Sequence, residues 1–242
     1  MNNQLKISLC IPAYNEEAGI AECISYVTKN APNKFLEILV INNASTDKTA
    51  EIAKSILGVR VVDESKKGLV MARQRAYLEA KGDILAFIDA DTRMPAGWYE
   101  KVSSTFTADS NVVCVSGPYR YYDCPAWHRW ATSLSWVLFA YPIYKLLTGY
   151  LAVGGNFAIS KKALDAMGGF DTSIAFYSED TDIARRAAKV GTVKFLLSLK
   201  MPSSGRRFVG QGFFKTGWLY YTNFISAVFL KRPTTQDYID IR

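Results

Sequence analysis

A chain of 242 residues with 49% hydrophobic and 21% charged residues is globular and large enough for one big domain or two small ones. Its single histidine, His128, excludes a His-based triad or His-rich zinc site, and Cys10, Cys23, Cys114 and Cys124 lack CxxC spacing and read as reduced thiols. The net charge of +7 is lopsided: residues 1–184 carry 18 Lys+Arg against 20 Asp+Glu and residues 185–242 carry 11 against 2, so the end of the chain favours anionic lipid headgroups, nucleic acid or a phosphorylated substrate.

No secretory pattern heads the chain; Lys6 to Ile11 is strand-like from the start, so the active parts are expected to face the cytosol. A strand ends at Leu9–Pro12, and Asn15 is placed to cap a helix through Ile20, Ile24 and Val27. Leu36–Ile41 reads as a second strand, with Ser45 or Thr46 capping a helix that runs to Leu57 and stops at Gly58. Val59–Val62 is a short strand, Leu69 to Lys81 a helix closed by Gly82, and Ile84–Ile88 a central strand. Pro95 is expected to open another helix, and Val112–Ser116 to form a further strand. This alternation predicts an α/β fold with a mostly parallel sheet covered on both faces. Ligands of such sheets bind at the carboxyl ends of strands, where Pro12–Glu17, Asn42–Asp47 and Asp89–Asp91 all fall.

Asp89-Ala90-Asp91 carries the most chemistry. Two carboxylates two residues apart, where a buried strand meets solvent, suit a hard divalent cation and the diphosphate it bridges. A plain polar turn is the structural alternative. The second half changes character. Residues 131–144 carry no charge, Lys145 interrupts, and residues 146–160 are again uncharged, with Trp127, Trp130, Trp136, Phe139, Tyr141, Tyr144 and Tyr150 in or beside them. Pro142 and Lys145 break the best window for a membrane span. With Thr216–Leu230 running into Lys231-Arg232-Pro233, these stretches suit the membrane interface or a buried helical layer.

Six segments, in order, resemble the inverting family 2 glycosyltransferases of GT-A fold: Pro12-Ala13-Tyr14-Asn15-Glu16-Glu17; Val40 to Asp47; Gly68 through Ala72-Arg73-Gln74; Asp89-Ala90-Asp91; Gly154-Gly155-Asn156 with Gly168-Gly169-Phe170-Asp171; and Ser178-Glu179-Asp180. The resemblance covers about residues 5–198. It implies a glycosyltransferase domain over residues 1–198, with a nucleotide-sugar-binding half (1–117) and an acceptor-binding half (118–198), followed by a basic, aromatic segment (199–242). It further implies that Pro12, Ala13, Tyr14 and Glu16 lie beside the nucleobase and ribose. Asn43 reads the base, in place of the usual acid, and Asp47 keeps the last acid of that motif, although it also suits a helix cap. Arg73 approaches the nucleotide, Asp89 contacts ribose, and Asp91 binds Mg²⁺ or Mn²⁺. Asp180 is the general base, kept ionised by the helix dipole, and Glu179 positions the acceptor. Gly154 and Gly155 allow close backbone approach, and Gln74 replaces the usual Asn. Ser204-Gly205-Arg206-Arg207 either covers the diphosphate, grips an anionic acceptor or is a solvated loop.

The expected reaction is transfer from a nucleotide-diphosphate sugar, UDP-sugar favoured, to a hydroxyl of a glycan or lipid-linked acceptor. The enzyme is expected at the inner face of the cytoplasmic membrane, in peripheral contact with anionic lipid. A dinucleotide oxidoreductase lacks support, because the first loop has no GxGxxG. A nucleotidyltransferase would want a basic, Gly-rich first loop, whereas Pro12–Glu17 is acidic. A silent binding module would not need Asp89, Asp91 and Asp180 together. Nucleic-acid binding is not expected, since long apolar runs interrupt the basic tail.

Overall fold

Alternation along the strands decides which face each residue covers. The structure is a computed structural model and describes residues 5–174 and 178–230. On β1 (Ile7–Ala13), Ile7, Leu9 and Ile11 join one core while Cys10 joins the other. β4 (Ile84–Ile88) does the same, sending Ile84, Ala86 and Ile88 one way and Leu85 and Phe87 the other. Both faces are therefore buried, as continuous apolar strands require.

The remaining elements of the first half are α1 (Ile20–Asn30), β2 (Glu37–Asn43), α2 (Thr49–Ser55), β3 (Val59–Glu64), α3 (Leu69–Glu79), α4 (Trp98–Ala108) and β5 (Val112–Ser116). Then come β6 (Tyr119–Tyr121) and α5 (Ala126–Ser135). After α5 the chain stays helical: π-helical turns at Trp136–Ala140 and Tyr144–Thr148 flank the single turn α6 (Tyr141–Ile143). Pro142 does not end this stretch; it sits in that single turn, and the wider turns on either side accommodate a residue that donates no backbone hydrogen bond. β7 (Asn156–Ser160), α7 (Lys161–Met167), α8 (Glu179–Ala187), β8 (Thr192–Phe195), β9 (Met201–Ser203), α9 (Arg206–Gln211) and α10 (Phe213–Leu230) complete the chain.

The main sheet has the order β3-β2-β1-β4-β7-β5-β8. All neighbours are parallel except β7, which runs antiparallel to β4 and β5. The mostly parallel α/β expectation therefore holds. A separate ribbon pairs β6 with β9 in parallel, tying the stretch after residue 198 to the loop after β5. β1 lies between β2 and β4, so the chain order reverses there, and a crevice opens beyond the carboxyl ends of β1 and β4.

Several local expectations are corrected. Asn15 does not cap α1: it is left-handed (φ 50°), and its Oδ1 accepts from the Thr46 amide at 2.8 Å. Neither Ser45 nor Thr46 caps α2. Ser45 Oγ accepts from the Asn15 amide, and Asp47 Oδ1 takes the Thr49 amide at 3.0 Å. Pro95 does not open α4, which starts at Trp98 after Gly97 in the left-handed region. All four cysteines are free and buried. No described helix is long and apolar enough to cross a membrane. Lys231-Arg232-Pro233 lies outside the described residues.

Candidate active site

A cavity of about 850 Å³ opens beyond β1 and β4 and extends towards the helical layer of α5, α6 and α10. Pro12, Ala13, Tyr14 and Glu16 line it from the end of β1, and Asn43 from the end of β2. Arg73 comes from α3, Asp89 and Asp91 from the end of β4, and Glu179 and Asp180 from the start of α8. Asp47, expected beside the donor, is not part of this lining. Its carboxylate holds the Thr49 amide and hydroxyl and the Glu17 amide instead, lacing the loop after β1 to the loop after β2.

Asp89 is fixed from three sides. Its Oδ2 accepts a 2.5 Å hydrogen bond from Tyr119, its backbone carbonyl accepts from the Thr92 hydroxyl, and Gly155 faces its carboxyl group. A Cβ on Gly155 would lie 2.1 Å from that carboxyl and 2.2 Å from the Tyr119 hydroxyl. Burial and the Asp89 charge drive the Tyr119 phenol well above its usual pKa, so it stays a donor. Asn156, fully buried beside Gly155, spends its side chain on Trp98 Nε1 and on the carbonyls of Gly117 and Leu199. That network sets where β7 begins.

Asp91 is pushed up to about 7, mainly by burial and then by Asp89, with Arg206 pulling the other way. Arg206 pairs with Glu16 through its two terminal guanidinium nitrogens, and its Nη2 lies 3.2 Å from Asp91 Oδ2. These oxygens fit a hard divalent cation: the acids sit together and the structure already balances them with a positive group. Among the described residues no cluster of three or more His, Cys, Asp or Glu side chains could hold a metal alone. Donor phosphates and water would complete the shell.

On the other wall, Arg73 is 1% exposed and lies 3.3 Å from Glu179. A Cβ on Gly154 would meet its guanidinium at 2.7 Å, so glycine lets this charge sit beneath the strand start. Gln74 accepts from the Phe170 amide at 2.9 Å and so braces the Gly168–Phe170 turn. Ser178 does not cap α8; it is left-handed (φ 69°), and its hydroxyl donates to the Asn223 carbonyl of α10. Asp180 is pushed up to about 7, chiefly by burial and next by Glu179, while Arg73 and the amides of Thr181 and Gly154 oppose. The expectation that the helix start would keep it ionised is thus corrected: burial beside a second carboxylate outweighs the dipole.

Between the loops after β1 and β3, Lys67 donates to the Tyr14 hydroxyl at 2.8 Å and lies 4.0 Å from its ring centroid. Asn43 gives its amide donor to the Lys66 carbonyl and accepts from the Gly68 amide, both at 2.7 Å. Its side chain therefore shapes the loop before α3. Tyr119 enters the site without having been singled out, since no local signal exists for it, and Arg206, left open within Ser204-Gly205-Arg206-Arg207, reaches Glu16 and Asp91.

The comparisons agree with this architecture. The family described as Glycosyl transferase family 2 matches residues 8–168. "Glycosyltransferase AglE" of Haloferax volcanii is 35% identical over 108 residues, 42% of this chain and 35% of its own. The chain thus spans about a third of the length of that relative. Among solved structures, the mannosyltransferase PcManGT from Pyrobaculum calidifontis, in complex with GDP-Man and Mn²⁺, superposes with a TM-score of 0.72 at 21% identity, covering 95% of this chain and 64% of that one. Glucosyl-3-phosphoglycerate synthase from Mycobacterium tuberculosis, with Mn²⁺, UDP-glucose and phosphoglyceric acid, gives 0.63 at 20% identity, over 94% and 79% of the two chains. These likenesses establish the GT-A fold.

Proposed function

The chain belongs to glycosyl transferase family 2, and from that premise we propose that it moves a sugar from a nucleotide-diphosphate donor, UDP-sugar favoured, to an acceptor hydroxyl with inversion at the anomeric carbon. The observation that carries this reading is the cavity itself. Asp89 and Asp91 on one wall and Glu179 and Asp180 on the other face the same space, as a single displacement requires.

Asp91 would hold the cation, and Asp89, oriented by Tyr119, would take the ribose hydroxyls. A bound Mg²⁺ or Mn²⁺ would act as a Lewis acid that stabilises the departing nucleoside diphosphate. Asp180 accepts the proton of the attacking hydroxyl, and Glu179, anchored by Arg73, orients the acceptor beside it. The sugar is attacked from the face opposite the diphosphate, so its configuration inverts and no enzyme nucleophile takes part.

The acceptor is proposed to be a lipid-linked or cell-surface glycan precursor presented at the inner face of the cytoplasmic membrane. Supporting this, the same cavity is also lined by Trp136, Phe139, Leu151, Phe208, Tyr220 and Phe224. Outside it, Trp130 and Trp218 are each 69% exposed and Phe214 80%. The Lys and Arg residues of 126–148 and 213–230 are Arg129, Lys145 and Lys215, and these stretches hold no Asp or Glu. An aromatic face with only basic charge suits anionic headgroups. Residues 1–117 would serve the donor and 118–198 the acceptor, while 199–242 would add Arg206 to the site and share the membrane contact with residues 126–148.

Asp91→Ala and Asp180→Asn, made separately, test the reaction. With UDP-sugars and Mn²⁺, each is expected to lose transfer by at least about 100-fold while keeping the fold. Near-normal transfer in both would refute the assignment.

A further inference from the structure

Arg206 is the one positive group that reaches the acidic cluster on the donor side among the contacts described. Its fork grips Glu16, which is 8% exposed, and its Nη2 lies 3.2 Å from Asp91 Oδ2. The segment that carries it has a firm anchor elsewhere. Asp123 accepts from the Ser204 hydroxyl and the Gly205 amide at 2.5 Å each, and Phe208 is buried with its ring 4.9 Å from that of Tyr121. The backbone is thus held while the arginine side chain, 37% exposed, spans from that anchor to the acids. A guanidinium and a divalent cation cannot both take the same carboxylate oxygen without strong repulsion at close range.

We propose that Arg206 is a built-in substitute cation: in the free protein it neutralises Asp91 and Glu16, and an incoming divalent ion must displace it from Asp91. This rests on the reading of Asp91 as the metal ligand. The released fork is then free to turn towards the diphosphate, because planar guanidinium pairs well with phosphate oxygens. Metal and nucleotide become coupled through one side chain: metal alone has to break the Arg206 pair without recompense, whereas metal with a diphosphate offers the arginine a new anionic partner. By linkage, each ligand then improves the affinity for the other.

The sign of the effect separates this role from a merely structural one. Binding of Mn²⁺ alone is followed by the electron paramagnetic resonance signal of the free ion, for the wild type, Arg206→Gln and Arg206→Lys. Arg206→Gln is expected to bind Mn²⁺ at least about fivefold more tightly than the wild type, and Arg206→Lys to stay near the wild type. In a parallel melting experiment, Mn²⁺ should raise the Tm of Arg206→Gln more than that of the wild type. Equal or weaker Mn²⁺ binding by Arg206→Gln would overturn the proposal. Asp91→Asn, and the double variant with Arg206→Gln, should lose the tight site. If Arg206→Gln binds more tightly but the double variant binds equally well, the metal ligand is not Asp91 and the proposed function is at fault along with this inference. If Asp91→Asn abolishes binding while Arg206→Gln changes nothing, only the inference fails.

Discussion

Asp180 carries opposing electrostatic loads. Burial and Glu179 raise its pKa to about 7, while Arg73 and two backbone amides lower it. A general base works in its ionised form, so kcat/KM should climb as pH rises through about 7 and level off above. Removing the Arg73 charge with Arg73→Met removes a lowering influence, so that limb should move to higher pH. A limb that stays in place would show that another group sets it. The same substitution strands the carboxylate of Glu179, whose side chain is 11% exposed, and breaking such a buried pair typically costs about 3–5 kcal/mol. Denaturant unfolding would report that loss. Gly155→Ala acts on the opposite wall. The added methyl collides with Asp89 and Tyr119, so nucleotide-sugar affinity should fall, with an overpacking cost of about 1–3 kcal/mol. Calorimetric titration with the donor checks the first effect and thermal melting the second.

At the level of elements, the loops after β1 and β2 are laced to each other more than to their own helices. Asn15 bonds Thr46 and Ser45, Glu17 bonds the Lys48 amide, and Asp47 bonds Thr49 and Glu17. Asp47→Ala should therefore lower stability by about 0.5–2 kcal/mol and leave the KM for donor nearly unchanged. A large rise in KM with stability intact would return Asp47 to the donor site. This lacing marks the boundary of what sequence could reveal. Strands β1, β2 and β4 were legible because their apolar runs are continuous, Asp89 and Asp91 because they close a strand, and Asp180 because Ser178-Glu179-Asp180 resembles the family's motif. The caps were not. Asn15, Ser45 and Ser178 are residue types suited to capping, yet their partners lie 30 to 45 residues away, and adjacency in the chain carries no trace of them. β7 was missed for a related reason. The run through residues 146–160 is uncharged and mostly apolar, so its strand portion cannot be told from helix by periodicity. Tyr119 was invisible because nothing near it in sequence announces that its hydroxyl meets Asp89.

Across the whole molecule, the aromatic layer of α5, α6 and α10 shares the cavity with the polar loops after β1, β2 and β4. Under the proposed function this sets a polar donor side against an apolar acceptor side. Vesicles containing anionic lipid should float the protein at low salt and release it as salt rises. Trp130→Ser combined with Phe214→Ser should weaken flotation while shifting stability by no more than about 0.5 kcal/mol, because both side chains are largely exposed. Flotation of that variant equal to the wild type would remove this face from membrane contact.

The antiparallel strand β7 has a consequence for dissecting the molecule. It fills the gap between β4 and β5, whose other sheet partners among the described residues are β1 and β8. A gene truncated after residue 117 would encode the loops after β1, β2 and β4, yet it would leave β4 and β5 with raw hydrogen-bonding edges and no strand to join them. Such a fragment should precipitate or assemble edge to edge on expression, so this half cannot be isolated as a working piece by simple cutting.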